Sequence, residues 1–444
     1  MSKTFNMVGG GAGGSGVRLQ SIAIAAPPNT VSYKTGSLFD PTGMSVWAEF
    51  SNGYGLYVNH ADLVFDPAGP LEEGTESVTV RFYWGGETAE AAQAVNVYST
   101  MIFGVEWDGG PGTKWSRTDD AAGFADPVSA VNNGTGSSPF DDFLPWAGMV
   151  KENRAGGVEV KEPKYWFKWT KTGKTIKLQI ANGPMEGFHV DPVNMDRGDG
   201  LGELDFSYIG RYHCGNDYKS ATHVEQKTSV TRSAARSGIH GLGPNFWQID
   251  FAQFWYIGML FVVEFADWDG QSAIGCGCSD SGSRENNGKT DAMQYHTGTT
   301  AANRTAYGYT QYRNIEGWWD NVYDWMDGCY YNSSGLNVIV NPNHFSDSAN
   351  GILMGRPISG CPSDFAIPTQ TGLEWALYPI AAAGSQTSYV PDRWNFDGRY
   401  PCLRHGAYEV RTLDHGPFYI VSGSTSEANG GIGCRLQERP PRTA

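Results

Sequence analysis

The chain has 444 residues, of which 58 are glycine, 13% are aromatic and only 18% are charged. That balance excludes a disordered chain, which is rich in charge and poor in aromatics, and suits a β- and loop-rich globular protein. With 32 Lys and Arg against 47 Asp and Glu the net charge is −15, which argues against nucleic-acid partners and against docking on anionic lipid.

Residues 1–17 form a Gly-rich leader that lacks the apolar centre of a secretory signal, so synthesis in the cytoplasm without export is expected. Gly9 to Gly14 fits GxGxxG, but no strand precedes it and the run reads as a flexible linker. Residues 18–98 read as a small all-β module. Met44, Val46, Ala48 and Phe50 alternate with Ser45, Trp47 and Glu49, and a Ser-Asn-Gly turn follows at 51–53. Val78, Val80, Phe82 and Trp84 alternate in the same way with Thr79, Arg81 and Tyr83. Period-2 segments separated by turn residues predict a sandwich.

Residues 99–444 show no obvious linker and read as one large domain. Phe251 to Phe265 is apolar on all sides, which predicts a buried helix; it contains Gln253 and Glu264 and is too short to span a bilayer, so no membrane insertion is expected. Tyr312 to Met326, with Ile315, Trp318, Trp319, Val322, Tyr323 and Trp325, predicts a second, amphipathic helix. The remainder reads as short strands and long loops. Asp196, Asp199, Glu203 and Asp205 form an acidic, Gly-rich loop whose spacing does not match an EF-hand; a solvated turn is expected, and a structural calcium lacks support. The seven cysteines form no CxxC pair, so free, mostly buried thiols are expected. Two thiols at Cys276 and Cys278 are too few to specify a metal. GxSxG, HExxH and phosphate-loop motifs do not occur, and the nine His are dispersed. The expectation is therefore a protein with no cofactor and no catalytic residues.

Within the β module, Pro27, Tyr33 to Gly36, Asp40-Pro-Thr-Gly43 and Phe50-Ser-Asn-Gly53 resemble the bacterial immunoglobulin-like repeat. Such modules serve as spacers or adhesive units on surface and virion proteins. In the large domain, Gly104 to Asp108, Lys114 to Phe124, Ser138 to Asp142 and Pro145 to Met149 resemble the C-type lectin fold as used in phage tail adhesins. Glu162 to Lys168, Asp205 to Tyr212 and Val263 to Gly275 continue that resemblance in order. The run Tyr312 to Gly328 looks like the Gly-Asn-Val-Trp-Glu-Trp signature of the formylglycine-generating-enzyme branch, and Gly431 to Leu436 looks like its closing strand. The implied architecture is an N-terminal all-β Ig-like sandwich followed by a loop-rich α+β C-type lectin-fold domain.

Tyr389 to Leu436 resembles the variable region of proteins diversified by retroelements, the family typified by the major tropism determinant of a tailed phage. In that family fixed framework residues alternate with varied ones that line a ligand-binding face. Gly398, Leu403, Gly406, Gly416, Phe418, Ile420, Ile432, Gly433 and Arg435 stand where framework residues would. The resemblance places ligand contacts at Arg393, Trp394, Asn395, Phe396, Tyr408, Glu409, Arg411, Thr412, Asp414, His415, Ser424, Glu427 and Asn429. The chain departs from the calcium-dependent sugar-binding branch, since Glu-Pro-Asn and Trp-Asn-Asp are absent; Trp319-Asp320-Asn321 comes nearest, in an expected helix. Cys402 and Cys434 sit in no motif that matches the cysteine pair of the formylglycine-generating enzyme, so its activity is not implied. Trp318, Trp319 and Trp325 are assigned to core packing.

The resemblances imply a phage or prophage tail-tip adhesin that binds a host surface protein or glycan without catalysis. Other virion tail proteins would be partners, and a homo-oligomer, a trimer among the closed forms, would suit tail architecture. Two alternatives belong to other classes: a structural virion decoration protein without a receptor, and a polysaccharide-degrading tail enzyme working through an aromatic-lined carboxylate pair.

Overall fold

The computed structural model describes residues 16–277, 284–397, 399–406 and 414–441. The chain is predominantly β, with 35% strand against 9% helix. It divides into two compact units, residues 1–100 and 101–444. Among the described residues no helix is long and apolar enough to cross a membrane.

In the first unit, strands Leu19–Ala26, Ser45–Phe50 and Gly55–Val58 form one antiparallel sheet. Strands Leu63–Asp66, Ser77–Trp84 and Glu87–Ala94 form another. Met44, Val46, Ala48 and Phe50 from the first and Val80, Phe82 and Ala89 from the second share one apolar core. The alternation read from sequence is the physical cause: successive strand side chains point to opposite faces, so every second residue is buried. The turn at 51–53 closes with Gly53 at φ +77°, its N–H donating to the Phe50 carbonyl at 2.9 Å. Asp40 builds a second turn by accepting from the Thr42 N–H at 3.0 Å and its hydroxyl at 2.6 Å. Strand Ser32–Lys34 pairs in parallel with Asn96–Tyr98.

The second unit is organised around one helix. Helix α1 (Arg232–His240) lies near the surface, whereas every residue of helix α2 (Phe251–Phe265) is buried. Asp250 caps α2 by accepting from the Gln253 N–H, and Ala266 ends it in the left-handed conformation. The two polar residues inside α2 each find a partner. Gln253 donates to Glu162, and Glu264 accepts from Arg313. Around α2 stand three five-stranded sheets. The first runs Ser116–Asp119, Ile102–Trp107, Thr175–Ala181, Trp166–Thr172, His189–Val190. The second runs Lys151–Arg154, Gly157–Pro163, Phe206–Gly210, Leu436–Glu438, Phe246–Gln248. The third carries the candidate site. Trp107, Trp115, Trp169, Trp255, Trp268 and Trp394 pack with α2 in one apolar core.

The helix expected over Tyr312 to Met326 does not form. Short strands Thr310–Tyr312, Ile315–Glu316 and Tyr323–Met326 occupy the segment. Arg313 at φ 45°, Asn314 at φ 70°, Gly317 at φ 64° and Asn321 at φ 71° are left-handed, which a helix cannot accommodate. The apolar spacing reflects burial on all sides: Trp318, Trp319 and Trp325 are all core residues, as assigned, but on turns and a strand.

The acidic loop is tied down rather than solvated throughout. Asp199 accepts from the buried Arg439 at 2.8 Å, while Glu203 and Asp205 hold Lys164 at 3.0 and 2.7 Å. Among the described residues no three metal-binding side chains cluster. Cys214, Cys329, Cys402 and Cys434 are free and buried, Cys361 is free and half-buried, and Cys276 is buried. The Gly9 to Gly14 run and Cys278 lie outside the described residues.

Candidate binding face

The third sheet runs Trp394–Asn395, Ile420–Gly423, Cys402–Gly406, Tyr323–Met326, Ile432–Gly433. Its register separates two faces. Trp394, Ile420, His405 and Asp324 lie opposite one another in one row. In the next row lie Asn395, Val421, Arg404 and Trp325, which therefore point the other way.

The first row faces the core. The Trp394 ring lies 6.1 Å from Phe254 and 6.4 Å from Trp255 on α2. His405 is stacked between Phe254 at 5.3 Å and Trp318 at 4.5 Å, with Nδ1 2.9 Å from the Tyr419 carbonyl. Burial lowers its pKa to about 4, which keeps the imidazole neutral. Its neutral Nδ1–H is then the donor to that carbonyl. Asp324 accepts from Arg435 at 3.2 Å and lies 3.0 Å from His213 Nδ1. Arg435 and the neighbouring His213 hold its carboxyl below the usual range against the cost of burial.

The opposite face is partly open. Arg404 lies 4.7 Å above the Tyr323 ring and 5.9 Å from Trp325, and its Nη1 meets Glu427 at 2.6 Å. Gly423 makes that pair fit: a Cβ there would lie 2.7 Å from the Glu427 carboxylate and 2.8 Å from Trp325. Tyr323 stands 6.3 Å from Tyr419, whose ring lies 3.9 Å from His415. Burial and the neighbouring Tyr323 raise the Tyr419 hydroxyl pKa. Asn395 is exposed at one end of this face, and Trp325 closes the other, donating to the Val230 carbonyl at 2.7 Å.

The expected ligand positions fall into three groups. Arg393, Asn395 and Asn429 are exposed, and Phe396, Ser424 and Glu427 are half-buried. Ser424, Glu427 and Asn429 belong to one turn closed by its own hydrogen bonds, including Ser424 N–H to Glu427 at 3.3 Å and Gly431 N–H to Asn429 at 2.9 Å. Tyr408, Glu409, Arg411 and Thr412 lie outside the described residues. Trp394, Asp414 and His415 are buried. Trp394 is 1% exposed because it faces α2, and Asp414 and His415 are each 9% exposed. His415 lies against Tyr419 with its Nδ1 3.0 Å from Asp414, and its backbone carbonyl accepts from Gln271. These three build the support beneath the face.

The framework positions are buried wherever described: Leu403, Gly406, Gly416, Phe418, Ile420, Ile432, Gly433 and Arg435. Gly406, at φ +83°, leaves no room for a Cβ, which would fall 2.8 Å from the Val322 carbonyl. Gly416 and Phe418 each donate their N–H to Asp392 at 2.8 Å. Sequence reasoning missed Arg404, Tyr323 and Tyr419. Strand alternation from the buried Leu403 would have placed Arg404 on the open face; Tyr323 was hidden by the mistaken helix.

One carboxyl pair bears on the polysaccharide-degrading alternative. Glu159 is buried, and burial and the neighbouring Glu438 raise its pKa, while Arg154 meets Glu438 at 2.8 Å. The chain matches no family model and no curated protein.

Proposed function

We propose that the chain is a tail-tip receptor-binding protein of a phage or prophage, and that it binds a host surface protein or glycan through the open face of its third sheet. One observation carries the reading. On a single sheet, one row of side chains locks into the core around α2, while on the opposite face Asn395 is exposed and Arg404 and Tyr323 stand half-buried beside the buried Trp325 and Val421. Such an arrangement lets outward side chains change with little effect on the fold, which is what a diversified recognition surface requires. An arginine over a tyrosine, rimmed by small polar residues, is also the chemistry of interface anchors. The first unit would act as a spacer or attachment module. Assembly as a closed homo-oligomer, with a trimer as the form suited to a tail, would multiply weak single-site contacts into avidity. Retroelement diversification of residues 389–436 belongs to the same proposal.

The test compares binding of purified wild-type chain to candidate host cells with a variant carrying Arg393→Ala, Asn395→Ala and Tyr323→Ala. The variant should melt within a few degrees of wild type and lose about tenfold or more of its cell binding. Equal binding by a normally melting variant would move adhesion to the first unit or leave a decoration protein.

A further inference from the structure

Residues 432–438 cross between two sheets. Ile432–Gly433 pairs beside Tyr323 and Asp324 in the third sheet, whereas Leu436–Glu438 pairs with Phe206–Gly210 and Phe246–Gln248 in the second. Cys434 sits at the crossing. The Cys214 N–H donates to its carbonyl at 2.8 Å. With standard bond lengths, that contact keeps the two α-carbons no more than about 6.7 Å apart. Disulfides span about 4.4–6.8 Å between α-carbons. Both side chains are 0% exposed and share one apolar cluster with Val230, Ile239, Phe246 and Leu436.

We propose that Cys214 and Cys434 form an oxidative cross-linking site, which a small peroxide converts into an intrachain disulfide. A peroxide is the fitting oxidant because it is small and neutral, and the apolar shell excludes bulky disulfide reagents. One sulfur, as thiolate, attacks a peroxide oxygen; the O–O bond breaks, a sulfenic acid forms and one water leaves once protonated. The second sulfur then attacks the sulfenic sulfur; the S–O bond breaks, the S–S bond forms and a second water leaves. Two thiols and one hydrogen peroxide thus yield one disulfide and two waters, each sulfur giving up one electron. Burial, and the hydrogen bond that the Cys214 thiol donates to Cys434, raise the Cys214 pKa, so little thiolate is present and the first step is slow. The cross-link would pin the sheet-to-sheet crossing and close a loop containing the whole candidate face.

The experiment uses the full chain, reduced, then incubated with hydrogen peroxide, quenched, unfolded in iodoacetamide and digested without reductant. Mass mapping should show the Cys214 and Cys434 peptides joined, two hydrogens lighter than their sum. The melting temperature should rise by about 5 °C, return on reduction and not rise in Cys434→Ser. Cys361→Ser should keep both the joined peptides and the shift. The proposal is overturned if Cys214 and Cys434 are recovered alkylated, as sulfinic acids, or joined to other cysteines. A joined pair with an unchanged or lowered melting temperature would overturn the pinning role. The mass map on wild-type chain decides the chemistry even if Cys434→Ser does not fold.

Discussion

The two units bury different things. The described core of the first unit is apolar apart from Gln93, and its ion pairs, Arg81 with Asp66 and with Glu90, lie toward solvent. The second unit buries ion pairs outright: Arg197 with Asp250 at 2.6 Å, Arg313 with Glu264, and Arg435 with Asp324 at 3.2 Å. Backbone accounting explains the difference. Strands of the first unit satisfy their N–H and C=O groups by pairing, whereas buried irregular chain needs partners from side chains. Arg435 alone donates to the carbonyls of Gly210, Arg211, Glu316 and Gly317. Arg232 does the same for Met326 and Cys329, and Arg117 for Val263 and Glu264. A guanidinium has five donors in a fixed fork, which suits it to ending loops. Its burial then requires a carboxylate nearby.

That contrast can be broken by substitution. The largest effect should come from Arg435→Ala, which leaves Asp324 underpaired and four carbonyls at strand ends and turns without their donor; a loss of about 3–5 kcal/mol is expected. Hydrogen exchange should accelerate across 251–265 while 77–94 stays protected. The converse is Phe82→Ala, with an expected cost of about 3 kcal/mol to the first unit and no effect on exchange in α2. Spread of either effect into the other unit would sink the comparison.

A pH titration sharpens it. His405 is neutral in the fold with a pKa of about 4, below its ordinary value of 6.5. Between these values the unfolded chain binds a proton that the fold refuses, so stability falls as pH drops through this window and its contribution is intact above it. The second unit's melting temperature should decline over that range, and His405→Gln should flatten the decline. An unchanged profile in the variant would show that other groups govern it. The smallest effects belong to the open face: Arg393→Ala and Asn395→Ala should each alter stability by less than about 0.5 kcal/mol. Thermal melts check this, and a larger loss would mean these side chains support the fold.

Some of the molecule was legible without coordinates. The strands of the first unit follow from strict alternation, because a two-state rule of inside and outside operates one residue at a time. Helix α2 was equally plain, since an apolar run interrupted only by Gln253 and Glu264 has few other solutions.

What sequence alone determined is therefore local: period, caps, turns and the division into an apolar module and a tryptophan-rich one. Tertiary structure decided the rest. Tyr312 to Met326 looks amphipathic by spacing, yet Asp320 accepts from Thr310 at 2.8 Å and Arg313 reaches Glu264 on α2, and these long-range bonds outweigh a helix's local ones. Trp394 and His415 look like surface anchors by residue type, and are buried, Trp394 because of the sheet row it occupies and His415 because it packs on Tyr419 beside Asp414. Propensity acts between neighbours in the chain, whereas burial of charge and choice of face depend on partners many residues away, which no local pattern encodes.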